Sequence, residues 1–162
     1  MKGIVCLDTN IVIWGILNQA KEHDLGKLEQ ARYLIDTELK DEKIIIPAIV
    51  VTEASIKIND AYDKFVCDLS SRFMIAPYDQ LCGKYYMQLH NSNEYKQLYE
   101  HKDEMNLTKR ELRNDLLVLA TAVGHKAKCI YSHDHNHIIK FAKNYIEVRD
   151  LPMLPPRQLD MF

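Results

Sequence analysis

The sequence has no apolar run long enough to cross a membrane. Its longest are 44–51, interrupted by Pro47, and 116–123, interrupted by Thr121; a spanning helix needs about 20 residues. The N-terminus reaches a charge at Asp8 too soon for a signal peptide. No membrane partner is expected, and the expected location is cytoplasmic. There is no CxxC pair among Cys6, Cys67, Cys82 and Cys129. These cysteines read as thiols in a reducing compartment, two of them inside apolar runs, and not as disulfides or a zinc site. Excess charge of one sign is also missing. The 21 basic and 23 acidic residues leave a net charge of −2, which argues against a polybasic protein that holds phosphates by bulk charge. Neither an internal repeat nor a low-complexity tract is present. No GxSxG, P-loop or GxGxxG occurs, so no nucleophile elbow or nucleotide cradle competes for the function.

What is present is a chain of 162 residues, 47% hydrophobic and 27% charged. That composition excludes disorder, and the length suits one domain with a core of its own. Residues 1–104 hold 12 basic and 17 acidic residues, whereas residues 105–162 hold 9 and 6. An anion-binding surface would therefore draw on the later part.

Apolar runs without two-fold alternation alternate with helical patterns. Strands are predicted over 3–7, 44–46, 73–76, 129–131 and 145–148, and helices over 11–18, 27–40, 47–58, 60–71, 108–124 and 134–143. Leu28, Ala31, Leu34, Ile35 and Leu39 form one stripe of the second helix, and Pro47 suits the first turn of the third. The Tyr-rich stretch 79–105 is predicted as one or two helices standing partly off the core. Thr108 and Glu111 form a capping box, Leu107 and Leu112 its hydrophobic staple, and Gly124 the stop. Strands apolar on both faces belong to a parallel sheet covered by helices, an α/β fold. From Asp150 the chain changes character, and its prolines exclude a helix or central strand. A domain over 1–149 and an extended tail over 150–162 follow.

In an open parallel sheet, ligands bind beyond the carboxyl ends of the strands. Asp8 directly follows the first strand, and Ser132, His133 and Asp134 follow the fourth. Glu53 lies on the helix after the second strand, and Asp115 on the helix leading into the fourth. Each has a plainer reading. Asp8 or Asp134 would serve as a helix cap, and Glu53 would pair with Lys57 on a surface. Asp115 is the most telling, because an acid at the entrance of the apolar helix 116–123 calls for a cation to offset its burial. Glu111 is accounted for by its capping box. Clustered carboxylates stay ionised together with a cation, and oxygen-only ligands favour Mg²⁺ or Mn²⁺. Such a site makes a hydroxide near neutral pH and stabilises charge on a transferring phosphate.

Four segments, residues 4–10 (IVCLDTN), 46–53 (IPAIVVTE), 114–122 (NDLLVLATA) and 131–134 (YSHD), resemble the ordered motifs of PIN-domain nucleases. The resemblance covers about residues 3–148. It implies a three-layer fold with a parallel five-stranded sheet in order 3-2-1-4-5, and metal-dependent endonuclease activity, usually on RNA. Asp8, Glu53, Asp115 and Asp134 fall on the four acidic positions, which would be catalytic and metal-holding. Asn10 and Ser132 fall on supporting polar positions. Many members are the toxin half of toxin–antitoxin pairs and commonly dimerise, so an antitoxin and a second copy are implied partners. Two departures from the pattern are the long Tyr-rich stretch and His137, where an aromatic residue is frequent.

His133, His135 and His137 offer three readings: a zinc site, a proton donor to the leaving oxygen, or a polar corner. Lys109, Arg110 and Arg113 oppose the dipole at the start of their helix, which assigns them to RNA phosphates or to a solvated face. The tail residues Gln158, Leu159, Met161 and Phe162 resemble the peptide that docks bacterial proteins on the sliding clamp. The expected function is a Mg²⁺- or Mn²⁺-dependent endoribonuclease, of toxin type. The alternatives are a nuclease acting on single-stranded or structured DNA and recruited to the clamp, or a non-catalytic binding module on the same fold.

Overall fold

Residues 4–7 (IVCL) have no polar side chain, so the strand they form must be covered on both faces. The computed structural model describes residues 2–58, 61–133 and 135–156, excepting the side chains of His135 and Asn136. It places this strand, β1 (Ile4–Leu7), at the centre of the sheet. β2 (Lys43–Pro47) and β4 (Cys129–Tyr131) flank it, and β3 (Met74–Ala76) and β5 (Glu147–Arg149) form the edges. All pairings are parallel, in the order 3-2-1-4-5. Cys6 sits opposite both Ile45 and Ile130. Val5, Cys6, Leu7, Ile45, Ile46 and Ile130 are fully buried, each larger side chain contributing about 1.5–3 kcal/mol by leaving water.

Eight α-helices are present among the described residues. They are α1 (Thr9–Gly15), α2 (Leu25–Tyr33), α3 (Ala48–Ser55), α4 (Tyr62–Arg72), α5 (Gln80–His90), α6 (Asn93–Glu100), α7 (Lys109–Gly124) and α8 (His135–Ala142). Thr108 caps α7 in the expected capping box. Its hydroxyl accepts from the Glu111 amide, and its own amide donates to the Glu111 carboxylate at 2.7 Å. That bond, then the one from the Thr108 hydroxyl, holds the Glu111 carboxyl below its ordinary range.

Several predicted details change. The second helix does not continue to Lys40. After Tyr33 it widens into a π-helical turn over Leu34–Glu38, closed by the Leu39 amide on the Leu34 carbonyl at 2.9 Å. Leu34, Ile35 and Leu39 all still reach the core through the wider turn. Pro47 lies one residue before the helix, as the last residue of β2 and the cap of α3. β5 begins at Glu147, two residues later than expected.

The Tyr-rich stretch does not stand off the core. Its two helices, α5 and α6, bury Cys82, Leu89, Tyr95 and Leu98, and α5 packs along α7. Gly124 of α7 comes close to Cys82 of α5. A Cβ there would lie 2.8 Å from Cys82 Sγ and 3.2 Å from the Cys82 backbone. Gly124 has no left-handed backbone; Lys126, at φ 58°, takes that conformation two residues later. The glycine is therefore needed for helix contact and not for chain reversal.

Beyond β5, residues 150–156 form neither helix nor strand. They are tied to α2, whose Gln30 amide donates to the Pro152 carbonyl at 3.0 Å. Leu154, Pro155 and Pro156 line a groove against Arg32 and Tyr33. The tail residues Gln158, Leu159, Met161 and Phe162 lie outside the described residues. None of the described helices is long and apolar enough to cross a membrane.

Candidate functional site

β1 and β4 are neighbours in space, yet the chain leaves β1 toward β2 on one side and returns to β4 on the other. This is the switch point of the sheet, where the strand ends open a crevice. Asp8 extends the β1–β4 ladder by one bond, its amide donating to the Tyr131 carbonyl at 3.0 Å. Its carboxylate then emerges between the two strands with only 8% of the residue exposed. The Ser132 hydroxyl, fully buried at the end of β4, donates to Asp8 Oδ2 at 2.7 Å, and the Thr9 amide donates to Oδ1 at 2.7 Å. Asp8 is also the N-cap of α1. Asp8 therefore caps α1 and lies in the crevice at once.

Glu53, half-buried on α3, is drawn to the same place. The Thr9 hydroxyl donates to its Oε2 and the Asn114 amide of α7 to its Oε1. Its carboxylate thus faces the crevice and not Lys57. Asp115 follows Asn114 on α7 and is half-buried, at the head of the buried segment that begins with Leu116. Three helices and two strand ends so converge on the Asp8 and Glu53 carboxylates. Beneath them lies the Cys6 thiol, kept neutral because burial first, and then the charge of Asp8, push its pKa up. Asp134 lies outside the described residues.

The donors to Asp8 and Glu53 named above are all neutral. They orient the carboxylates without cancelling their charge, as outer-shell groups do around a metal. Carboxylates such as Asp8, Glu53 and Asp115 offer only hard oxygen, so an ion held by them would be of the Mg²⁺ or Mn²⁺ kind and not a thiolate-loving one.

Asn10, on α1, lines a cavity of about 660 Å³ beside the acids, with Trp14, Lys21, Lys57 and His133 among its walls. His133 Nδ1 lies 2.9 Å from Asp150 Oδ1, and its ring meets Trp14 edge-on at 5.3 Å. Of the three basic residues proposed for phosphate, Lys109 and Arg113 line a second cavity on the other side of α7, and Arg110 is exposed on the same helix. A separate group, Asp79, Cys82 and His125, places three donor atoms within 4.8 Å of one another near the C-terminal end of β3. Asp79 caps α5 through the Cys82 amide, and a His125 ring nitrogen lies 2.9 Å from the Pro77 carbonyl.

Two site residues went unassigned in the sequence, Thr9 and Asn114. Each stands beside a predicted acid, and each holds Glu53. The polar run Asp8-Thr9-Asn10 was the available signal, since one cap needs only one of the three.

The fold and the acidic crevice define a class, and comparison with known proteins agrees. The PIN domain family model matches residues 5–144. The chain belongs to the PIN-domain family. Among solved structures it is similar to VapBC2 from Rickettsia felis bound to a DNA fragment from their promoter. The TM-score is 0.55 at 19% identity, covering 92% of this chain and 99% of that one. A weaker likeness, TM-score 0.45 and 14% identity, covers 94% of this chain and 26% of the tyrosyl-tRNA synthetase of Leishmania major in complex with tyrosinol. No curated protein matches the sequence.

Proposed function

We propose that this protein is an endoribonuclease that hydrolyses phosphodiester bonds with Mg²⁺ or Mn²⁺. The observation that carries this reading is the joining of Asp8 to Glu53 through Thr9, at the switch point of a PIN-family sheet. Asp8, Glu53, Asp115 and Asp134 would hold the ion, which supplies a water acid enough to ionise near neutral pH and positive charge for the phosphate oxygens. Ser132 fixes the Asp8 carboxylate, and Thr9 and Asn114 fix that of Glu53. These bonds hold the acids in place before substrate arrives, so little reorganisation is needed during reaction. The burial of Asp8 keeps bulk water from screening its charge.

Within this reading the protein acts as a toxin, restrained by an antitoxin. The likeness to VapBC2 and the family membership support that role. The substrate is RNA and not DNA.

The deciding measurement is cleavage of labelled RNA, single-stranded DNA and flapped DNA, with Mg²⁺ or Mn²⁺ and with chelator. Wild type should cut RNA in a metal-dependent way, and Asp8→Asn should abolish cutting while the protein stays folded. Cleavage of DNA alone would favour the clamp-recruited nuclease. Equal activity in both proteins, or none in either, would leave a binding module and sink the proposal.

A further inference from the structure

The second cavity encloses about 450 Å³ between α5, α6 and α7. Its walls carry Tyr86, His90, Tyr95 and Tyr99, together with Lys109 and Arg113. The rings form a continuous ladder. Tyr86 and His90 stack at 6.1 Å and 16°, His90 and Tyr95 stand 5.0 Å apart, and Tyr95 and Tyr99 6.2 Å apart. Tyr95 is 6% exposed and meets Phe141 edge-on at 5.8 Å, so the floor of the pocket is the core itself. Tyr86 and Tyr99 are only half-buried and His90 is exposed, which leaves ring surface for a ligand. The Lys109 ammonium lies 5.9 Å and that of Lys102 4.9 Å from the Tyr99 ring centre. Lys96 and Glu100 also reach the rim, and their charges offset, so Lys109 and Arg113 leave the pocket positive.

Aromatic faces beside fixed cations are the apparatus that binds unpaired nucleotides: bases stack on the rings and phosphates meet the cations. We infer that this pocket receives an unpaired base of the strand being cut, with Lys109 and Arg113 on the adjoining phosphates. The inference rests on the ribonuclease reading. It deepens that reading by assigning the substrate a single-stranded segment next to the scissile bond. α7 supplies the geometry. Arg113 immediately precedes Asn114, which holds Glu53. Lys109 stands six residues before Asp115, about 9 Å along the helix axis and about 120° around it, so a strand joining pocket and acids would cross the surface of α7 over at least two to three stacked-nucleotide rises of ~3.4 Å. One helix thus presents phosphate contacts at one end of this interval and the acidic centre at the other. Because every base has a π-face, the pocket selects single strands and tolerates sequence.

The test uses the full chain in chelator, so that binding is read without cleavage. Fluorescence anisotropy with a labelled single-stranded oligoadenylate is compared for wild type, Tyr86→Leu, Tyr99→Leu and Tyr99→Trp. Each Leu variant should weaken binding about 5- to 150-fold, and Tyr99→Trp should restore it. Lys109→Ala and Arg113→Ala, both at exposed positions, should each lower the salt slope by about 0.7. RNA carrying 5-iodouridine should photocrosslink to Tyr86, His90 or Tyr99. Unchanged affinity in folded Leu variants, crosslinks confined to other helices, or absence of single-strand binding would overturn the inference. So would loss of binding to a co-purifying protein with RNA affinity intact. Cleavage is scored separately: a chain that cuts RNA but ignores these substitutions keeps its activity assignment and loses the pocket, and a chain that binds through the pocket without cutting does the reverse.

Discussion

Thr9 touches both acids with different groups, its amide on Asp8 and its hydroxyl on Glu53. Thr9→Val keeps the amide and the shape but removes the one hydroxyl proton that orients Glu53. Loss of such an outer-shell bond typically costs 10- to 100-fold in metal affinity or activity. The expected outcome is a rise of about that size in the Mn²⁺ concentration needed for half-maximal cleavage, with an unchanged melting profile. An Asp8→Asn protein, by contrast, should stay inactive at any Mn²⁺ concentration. Ser132 invites no such separation of effects, because its fully buried hydroxyl is held between two strands.

Elements carried most of what the sequence could tell, and the exceptions have physical causes. β1, β4 and α7 were legible because a buried strand shows an unbroken apolar run and a capping box occupies fixed positions. Asp8, Glu53 and Asp115 stood out in the sequence because they follow strands or enter an apolar helix, and Asp134 lies outside the described residues. Asn114 was not legible, and Thr9 only as part of the polar run Asp8-Thr9-Asn10, since hydrogen bonds to Glu53 from 61 and 44 residues away leave no signature of the partner. The packing of α5 and α6 was misjudged because their outer faces are polar and their buried residues are few and spaced. Gly124 was read as a stop by its position, while its reason is the Cys82 contact across helices. Gly124→Ala should therefore destabilise the protein by about 1–3 kcal/mol, the usual range for overpacking. A stop glycine with left-handed backbone would also resist alanine, so the discriminating measurement is Lys126→Gly. That change should be neutral or stabilising in chemical denaturation, because the strained backbone lies there.

At the scale of the whole molecule, the end of the sheet opposite the acids is clipped by a charge. Glu42, just before β2, accepts from the Gly3 amide at 2.6 Å and from the ammonium of Lys128, just before β4. The Lys128 bond first, and the Gly3 bond second, hold the Glu42 carboxyl below its ordinary range. A lowered folded-state pKa stabilises above the unfolded value of about 4.3. That stabilisation is lost as the pH falls through the lowered value. Glu42→Gln should accordingly melt at a lower temperature than wild type at pH 7, and the two melting curves should converge as the pH is taken below 4. Circular dichroism over a pH series checks this, and a gap that persists in acid would remove the clip as its cause.

The bond between Ser132 and Asp8 spans 124 residues. A ribosome making this chain releases Asp8 long before Ser132, and a central strand cannot close its ladder with β4 until β4 has been made. Contacts so far apart in sequence form late and slowly. The crevice is therefore incomplete on any nascent chain that stops short of β4. Order of synthesis thus separates the appearance of Asp8 from the completion of its crevice, which closes only when most of the domain has already been made.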